Sequence, residues 1–107
     1  MAEIAVGEGH HGASMGAKVG DTIVVRLPEN PTTGFRWSGQ PTGLGVLQLD
    51  SDDFAQDSGR AVGGGGTRVL RYRATGVGRA TITLQLVRRW ETSAPRSELR
   101  VDVTVSQ

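Results

Sequence analysis

The chain of 107 residues offers few side chains that could catalyse a reaction. It has no cysteine, which excludes a thiol nucleophile, a thiolate metal site and a disulfide framework. The only two histidines, His10 and His11, are adjacent, and this spacing favours neither a catalytic triad nor a metal centre. We therefore interpret both histidines as solvated polar residues, and we predict that the protein is not an enzyme.

Two further patterns are typical of ion or phosphate binding but lack the residues that would complete such sites. An acidic stretch contains Asp50, Asp52, Asp53 and Asp57 without the spacing of an EF-hand, which favours a charged, solvated loop over a weak calcium site. The glycine run at 63–66 lacks the lysine and the Ser/Thr of a P-loop, and a predicted strand follows it where a helix should be. We expect no cofactor and no metal.

The segment NPTTGF has the properties of a tightly specified loop. Pro31 fixes its own φ and favours an extended Asn30, whose side chain can close a small turn by bonding forward to the backbone. Gly34 can adopt a positive φ, and the two β-branched threonines before it are stiff at χ1. For this segment alone an ordinary strand connection is favoured, since Asn, Pro and Gly are common turn residues. Together with two other stretches, we expect the loop to display two hydroxyls between two strands. Its residues are Asn30, Pro31, Thr32, Thr33, Gly34 and Phe35.

Two other stretches favour a binding role. A glycine segment lets its backbone approach the backbone of another protein and pair with it, as an extended peptide does. A tryptophan beside two arginines is typical of an interface anchor, because Trp and Arg predominate at interface hot spots. Its polar neighbours favour exposure, and we assign the core position to Trp37 instead. The two stretches are Gly63, Gly64, Gly65 and Gly66, and Arg88, Arg89, Trp90 and Glu91.

The elements that position these loops are predicted to be short strands. No segment shows a sustained period of about 3.6 residues, whereas apolar residues alternate along several short runs between Gly/Pro turns. This pattern predicts an all-β antiparallel sandwich or barrel, and the few strands with long connections favour the sandwich. Residues 7–20 receive no firm assignment. The predicted strands are 3–6, 22–27, 35–39, 46–50, 67–74, 79–88 and 99–105.

The order of these strands predicts where the three loops lie. In an antiparallel arrangement each strand carries the chain from one end of the sandwich to the other. If residues 46–62 make one net crossing, the NPTTGF loop, the glycine run and the loop containing Trp90 leave the same end. The binding loops of immunoglobulin-like domains are grouped in this way.

Size and charge limit the remaining possibilities. The length suits one domain, which we place at residues 1–107, and we expect a monomer. A formal charge of +1, from 12 basic and 11 acidic residues spread along the chain, argues against a dedicated nucleic-acid or membrane surface. The first residues lack the apolar region of a signal peptide, so the sequence leaves a cytoplasmic location open, or a periplasmic or secreted one if a leader was removed.

Taken together, the three loops resemble those of the chagasin family of cysteine protease inhibitors, whose marks are NPTTG followed by an aromatic residue, a GxGG loop and RPW near the end. Their order and spacing agree over roughly residues 20–105. The resemblance implies an immunoglobulin-like β-sandwich that binds papain-like cysteine proteases reversibly and tightly. It implies that Thr32 and Thr33 enter the active-site cleft, that residues 63–66 run along the non-primed side, and that Arg88 and Trp90 pack on the primed side.

The chain departs from the family pattern at three places. Arg89 stands where proline is usual, Phe35 stands where tyrosine is common, and glycine fills the variable position of GxGG. We expect these departures to affect affinity more than function. The alternative hypothesis is an immunoglobulin-like adhesion or scaffold module that uses the same loops to bind a partner other than a protease.

Overall fold

The computed structural model describes residues 2–30, 33–43, 45–56, 65–88 and 95–107. Within these ranges the chain forms eight strands and one short 3-10 helix, Glu8–His10, and contains no helix long and apolar enough to cross a membrane. The strands are β1 Glu3–Val6, β2 Ser14–Lys18, β3 Thr22–Glu29, β4 Phe35–Ser38, β5 Leu47–Gln56, β6 Gly66–Ala74, β7 Gly78–Arg88 and β8 Ser97–Ser106.

The strands form two four-stranded sheets packed as a sandwich, which confirms the predicted fold class. The first sheet has the order β1-β3-β6-β5 and the second the order β2-β8-β7-β4. The antiparallel prediction is wrong at two edges, where β1 pairs with β3 and β2 pairs with β8 in parallel. The chain changes sheets between β1 and β2 and again between β2 and β3, so no hairpin imposes antiparallel pairing on these strands.

The core lies between the two sheets and is made by the alternating residues of the strands. Along β8, for example, Leu99, Val101, Val103 and Val105 are buried while the residues between them are exposed. Trp37 is also buried, as predicted, and its indole Nε1 donates a hydrogen bond of 2.9 Å to the carbonyl oxygen of Pro28. The two-residue period therefore assigns the inner face correctly.

The acidic stretch is a strand where a solvated loop was predicted. Asp50, Asp52 and Asp53 lie on β5, which continues to Gln56 and pairs antiparallel with β6, with a register shift between Leu49 and Ser51. An edge strand with an exposed face tolerates aspartates that propensity alone would place in a loop. Asp57 lies outside the described residues. The segment without an assignment contains the 3-10 helix and β2.

The Asp21 carboxylate connects the two edge strands β1 and β2 by hydrogen bonds at one end of the sandwich. Its Oδ1 accepts a hydrogen bond of 2.9 Å from the main-chain N–H of Ala2, and its Oδ2 accepts one of 2.9 Å from that of Lys18. These two hydrogen bonds hold the pKa of Asp21 below its ordinary value, and the bond from Ala2 has the larger effect.

We expect Asp21→Asn to lower the free energy of unfolding at neutral pH, because an amide cannot accept both hydrogen bonds through two oxygens. A lowered folded pKa gives stability that is present above the ordinary carboxyl pKa and is lost as the pH falls through the folded value. The difference between variant and wild type should therefore shrink in acid. Urea unfolding at neutral and acidic pH measures it, and equal stabilities at neutral pH would contradict the prediction.

Tyr72 is a fully buried tyrosine whose hydroxyl has no hydrogen-bond partner among the described residues. Burial first, and then the negative charge of Asp52, raise the pKa of Tyr72 to about 12. Since the folded pKa is raised, the resulting stability is complete below the ordinary value of about 10 and is lost as the pH rises through the folded value.

We expect the phenolate absorbance of this single tyrosine to appear near pH 12, well above the value for a free phenol. Tyr72→Phe is the control: it should lose this absorbance and unfold with a free energy equal to or above that of the wild type, because it buries no unpaired hydroxyl. Titration of Tyr72 at the ordinary pKa in the folded protein would contradict the burial argument.

Candidate functional site

The described ends of the three predicted loops lie at one end of the sandwich. Glu29, before the first loop, pairs with Gly66, the last residue of the glycine run. Phe35, the last residue of the first loop, pairs with Arg88, the first residue of the third stretch. β5 makes a single described crossing before the glycine run, as the strand-order argument requires. The prediction that the three loops leave the same end is therefore confirmed for these ends.

The structure places some of the predicted site residues and leaves others undescribed. Those within the described ranges are Asn30, Thr33, Gly34, Phe35, Gly65, Gly66 and Arg88. Those outside them are Pro31, Thr32, Gly63, Gly64, Arg89, Trp90 and Glu91.

The first loop is closed by its own main chain. The carbonyl oxygen of Asn30 accepts hydrogen bonds from the N–H of Thr33 at 3.2 Å and from its hydroxyl at 2.8 Å. The same hydroxyl accepts a bond of 3.3 Å from the N–H of Phe35. Gly34 has φ +79°, as predicted. The expectation that both threonine hydroxyls are displayed is thus wrong for Thr33, whose hydroxyl is engaged within the loop.

Phe35 and two arginines join the first loop to the third. The Arg88 guanidinium lies 4.3 Å from the centre of the Phe35 ring, and its Nε donates a hydrogen bond of 3.0 Å to the carbonyl oxygen of Thr33. The exposed Arg96, at the far end of the third loop, lies 5.1 Å from the same ring centre. These are cation–π distances. Arg96 was not predicted from the sequence, since only its place beside Phe35 reveals it.

Two glycines of the second loop differ in the space around them. A Cβ on Gly66 would overlap the carbonyl oxygen of Ala55 and would lie 2.6 Å from Cζ of Phe54. A Cβ on Gly65 would meet nothing closer than the carbonyl oxygen of Glu29, at 3.4 Å. Gly66 is therefore required by packing between β5 and β6, whereas packing leaves Gly65 open to a side chain.

A buried ion pair lies directly beneath the first two loops. The Glu29 side chain is 1% exposed, and its Oε2 accepts hydrogen bonds from Nη2 of Arg68 at 2.6 Å and from Nε at 3.2 Å. Its Oε1 accepts a bond of 2.8 Å from the main-chain N–H of Trp37. Arg68 also donates from Nη1 to Oδ1 of Asp52 at 3.1 Å. The hydrogen bonds of Arg68 raise its pKa above the ordinary value, and the bond to Glu29 has the largest effect.

Glu29 and Arg68 were not predicted as site residues, although the alternation of the two strands indicates them. Glu29 continues the inward-facing positions 23, 25 and 27 of β3, and Arg68 shares the inward-facing parity of Leu70 and Tyr72 on β6. Opposite charges at inward-facing positions of two strands predict a buried pair once the strands are known to be neighbours.

The two-sheet fold and the loop ends grouped at one end of the sandwich are typical of a binding module, as in immunoglobulin-like domains. Residues 16–105 match the model of the family described as chagasin family peptidase inhibitor I42, so the chain belongs to the chagasin family of peptidase inhibitors. This membership confirms the predicted resemblance and favours a protease inhibitor over an enzyme or an adhesion module.

Individual relatives agree with this assignment. The chain is 29% identical over 98 residues to chagasin of Trypanosoma cruzi, covering 87% of this chain and 88% of that protein. The crystal structure of the cysteine protease inhibitor EhICP2 of Entamoeba histolytica matches with a TM-score of 0.91 and 26% identity, covering 99% of this chain and 97% of the other. PbICP-C, solved in complex with falcipain-2, shares the fold at a TM-score of 0.68 and 12% identity, covering 97% and 89% respectively.

Proposed function

We propose that this protein inhibits papain-like cysteine proteases by inserting three loops from one end of the sandwich into the active-site cleft. The observation that carries the proposal is the meeting of the described loop ends, through the pairs Glu29–Gly66 and Phe35–Arg88. The class of target follows from the family and from the similarity of this chain to EhICP2, a cysteine protease inhibitor. The PbICP-C structure with falcipain-2 is a complex formed by a protein of this fold.

Each loop has a separate part in the proposal. The first loop, which contains Thr32, enters the cleft over the catalytic cysteine. It loses little conformational entropy on binding because Thr33 already closes it onto Asn30, and such preorganisation raises affinity. The glycine run, residues 63–66, lies along the non-primed side, where its backbone pairs with that of the enzyme. Arg88 and Trp90, together with Arg89 and Glu91, contact the primed side.

An inhibition assay tests the proposal directly. The pure wild-type protein should block papain or cathepsin L reversibly and without being cleaved, and it should leave a serine protease active. Absence of inhibition of several papain-like enzymes at micromolar concentration would overturn the proposed function.

We expect Thr32→Ala, Thr33→Ala and Trp90→Ala to weaken inhibition by about tenfold to a hundredfold, with Trp90 giving the largest loss because large aromatic anchors dominate binding energy. Thr33→Ala acts by opening the turn at Asn30, whereas the other two remove proposed contacts with the enzyme. Inhibition constants are measured beside thermal unfolding, with Thr104→Ala on the outer face of β8 as the control. Unchanged constants in all three variants would reject these site assignments.

A further inference from the structure

The geometry points to Glu29 and Arg68 as a positioning pair that sets the spacing between the first loop and the glycine loop, and this inference rests on the proposed function. Neither side chain needs to touch the protease. Their role is to hold the four strands from which the two loops leave, so that both loops reach the cleft in a fixed relative position.

The pair joins the four strands that flank these loops. Glu29 is the last residue of β3, directly before the first loop, and it accepts the N–H of Trp37 on β4, which follows that loop. Arg68 lies on β6, just after the glycine loop, and it donates to Asp52 on β5, which precedes that loop. One carboxylate and one guanidinium therefore connect both sides of both loops.

The pair also crosses between the two sheets. β3, β5 and β6 belong to the first sheet, whereas β4 is the edge strand of the second. A ladder of main-chain hydrogen bonds fixes strands within one sheet, but it cannot fix one sheet relative to the other. The hydrogen bond from Trp37 to Glu29 does so at the base of the loops, and the indole bond to Pro28 supports it.

The energetics favour a positioning role over a purely stabilising one. The desolvation free energy of two charges offsets much of the free energy of their attraction. A buried pair therefore often adds little net stability compared with apolar residues of similar size. Such a pair does impose direction, because two N–H groups of the planar Arg68 guanidinium converge on Oε2 of Glu29 while Oε1 accepts from Trp37. Replacement of the pair by apolar side chains should therefore spare folding and loosen the loops.

The test uses the double variant Glu29→Met/Arg68→Met. We expect it to fold, to dissociate from papain about tenfold faster or more than the wild type, and to show faster hydrogen exchange of the Thr33 amide, which is hydrogen-bonded to Asn30, in the free protein. A purely structural role would lower the unfolding temperature without changing the dissociation rate or the local exchange at temperatures where the protein is folded.

Two sets of controls separate these effects. Val105→Ala removes core volume at the opposite end of the sandwich, where Val105 pairs with Gly78, and it should lower stability while leaving dissociation unchanged. Asp52→Ala removes the contact between Asp52 and Arg68 at a half-exposed position. It replaces the double variant as the test if the double variant fails to fold. Asp53→Ala is its matched control, since the neighbouring exposed carboxylate takes no part in the network.

The outcomes are distinguishable from those of the proposed function. Faster dissociation and exchange in the double variant and in Asp52→Ala, but not in the controls, would support the positioning role. Wild-type dissociation and exchange in these two variants would overturn it and leave the inhibitor proposal intact. If the wild type inhibits no papain-like enzyme, the proposed function fails, and exchange of the Thr33 amide alone decides whether the pair orders the first loop.

Discussion

Arg68→Met is expected to destabilise the protein by about 3–5 kcal/mol, because it leaves the carboxylate of Glu29 buried without its cation. Glu29 is 1% exposed, so water cannot replace the two hydrogen bonds from the guanidinium. A loss of this size is a large part of the total stability of a small domain, which is typically about 5–15 kcal/mol. Urea unfolding of variant and wild type measures the difference.

The double variant Glu29→Met/Arg68→Met should be more stable than Arg68→Met. It removes the unpaired charge, and what remains is mainly the main-chain N–H of Trp37 left without its acceptor, at about 1–3 kcal/mol. Arg73→Met is the control, since the pair of Arg73 with Asp50 is partly exposed and 3.8 Å long, and exposed pairs contribute little. Similar losses from Arg68→Met and Arg73→Met would contradict the argument.

The second large effect is expected at Gly66. Gly66→Ala should destabilise the protein by about 1–3 kcal/mol, because the new methyl group overlaps the main-chain carbonyl oxygen of Ala55, which can move only if strand β5 moves, and also crowds the ring of Phe54. The register between β5 and β6 should change first, since Gly66 pairs with Gln56 at their ends. The glycine loop that leaves this point would move with them, so inhibition should weaken as well.

Gly65→Ala is the matched variant, one residue earlier in the same run. Its methyl group would meet only the carbonyl oxygen of Glu29 at 3.4 Å and atoms of Asn30 further away, so we expect stability close to that of the wild type. Inhibition should nevertheless weaken, by about tenfold, if the bare backbone at this position lies against the protease. The free energy of unfolding and the inhibition constant of both variants separate the effect on packing from the effect on binding. Equal stabilities of Gly65→Ala and Gly66→Ala would show that the space around Gly66, beside Ala55 and Phe54, is not tight.

Much of the fold could be predicted from local patterns. Alternation along 79–88 and 99–105 gave strands of the correct face, because a strand places successive side chains on opposite sides whatever its partner is. Local chemistry also predicted the positive φ of Gly34 and the burial of Trp37. The motifs at 30–35, 63–66 and 88–91 were sufficient to indicate the family, which the match over residues 16–105 confirms.

Other features depended on contacts between distant parts of the chain. The acidic strand β5 forms because β6 pairs with it. The parallel edge strands follow from connections that pass from one sheet to the other. The Thr33 hydroxyl donates a hydrogen bond to the carbonyl oxygen of Asn30 within its own loop. The sequence determined that the chain folds as strands with three recognisable loops, since strand periodicity and turn chemistry act over a few residues. Only the tertiary structure decided that Glu29 and Arg68, 39 residues apart, meet beneath those loops, because the burial and pairing of charges depend on which strands become neighbours.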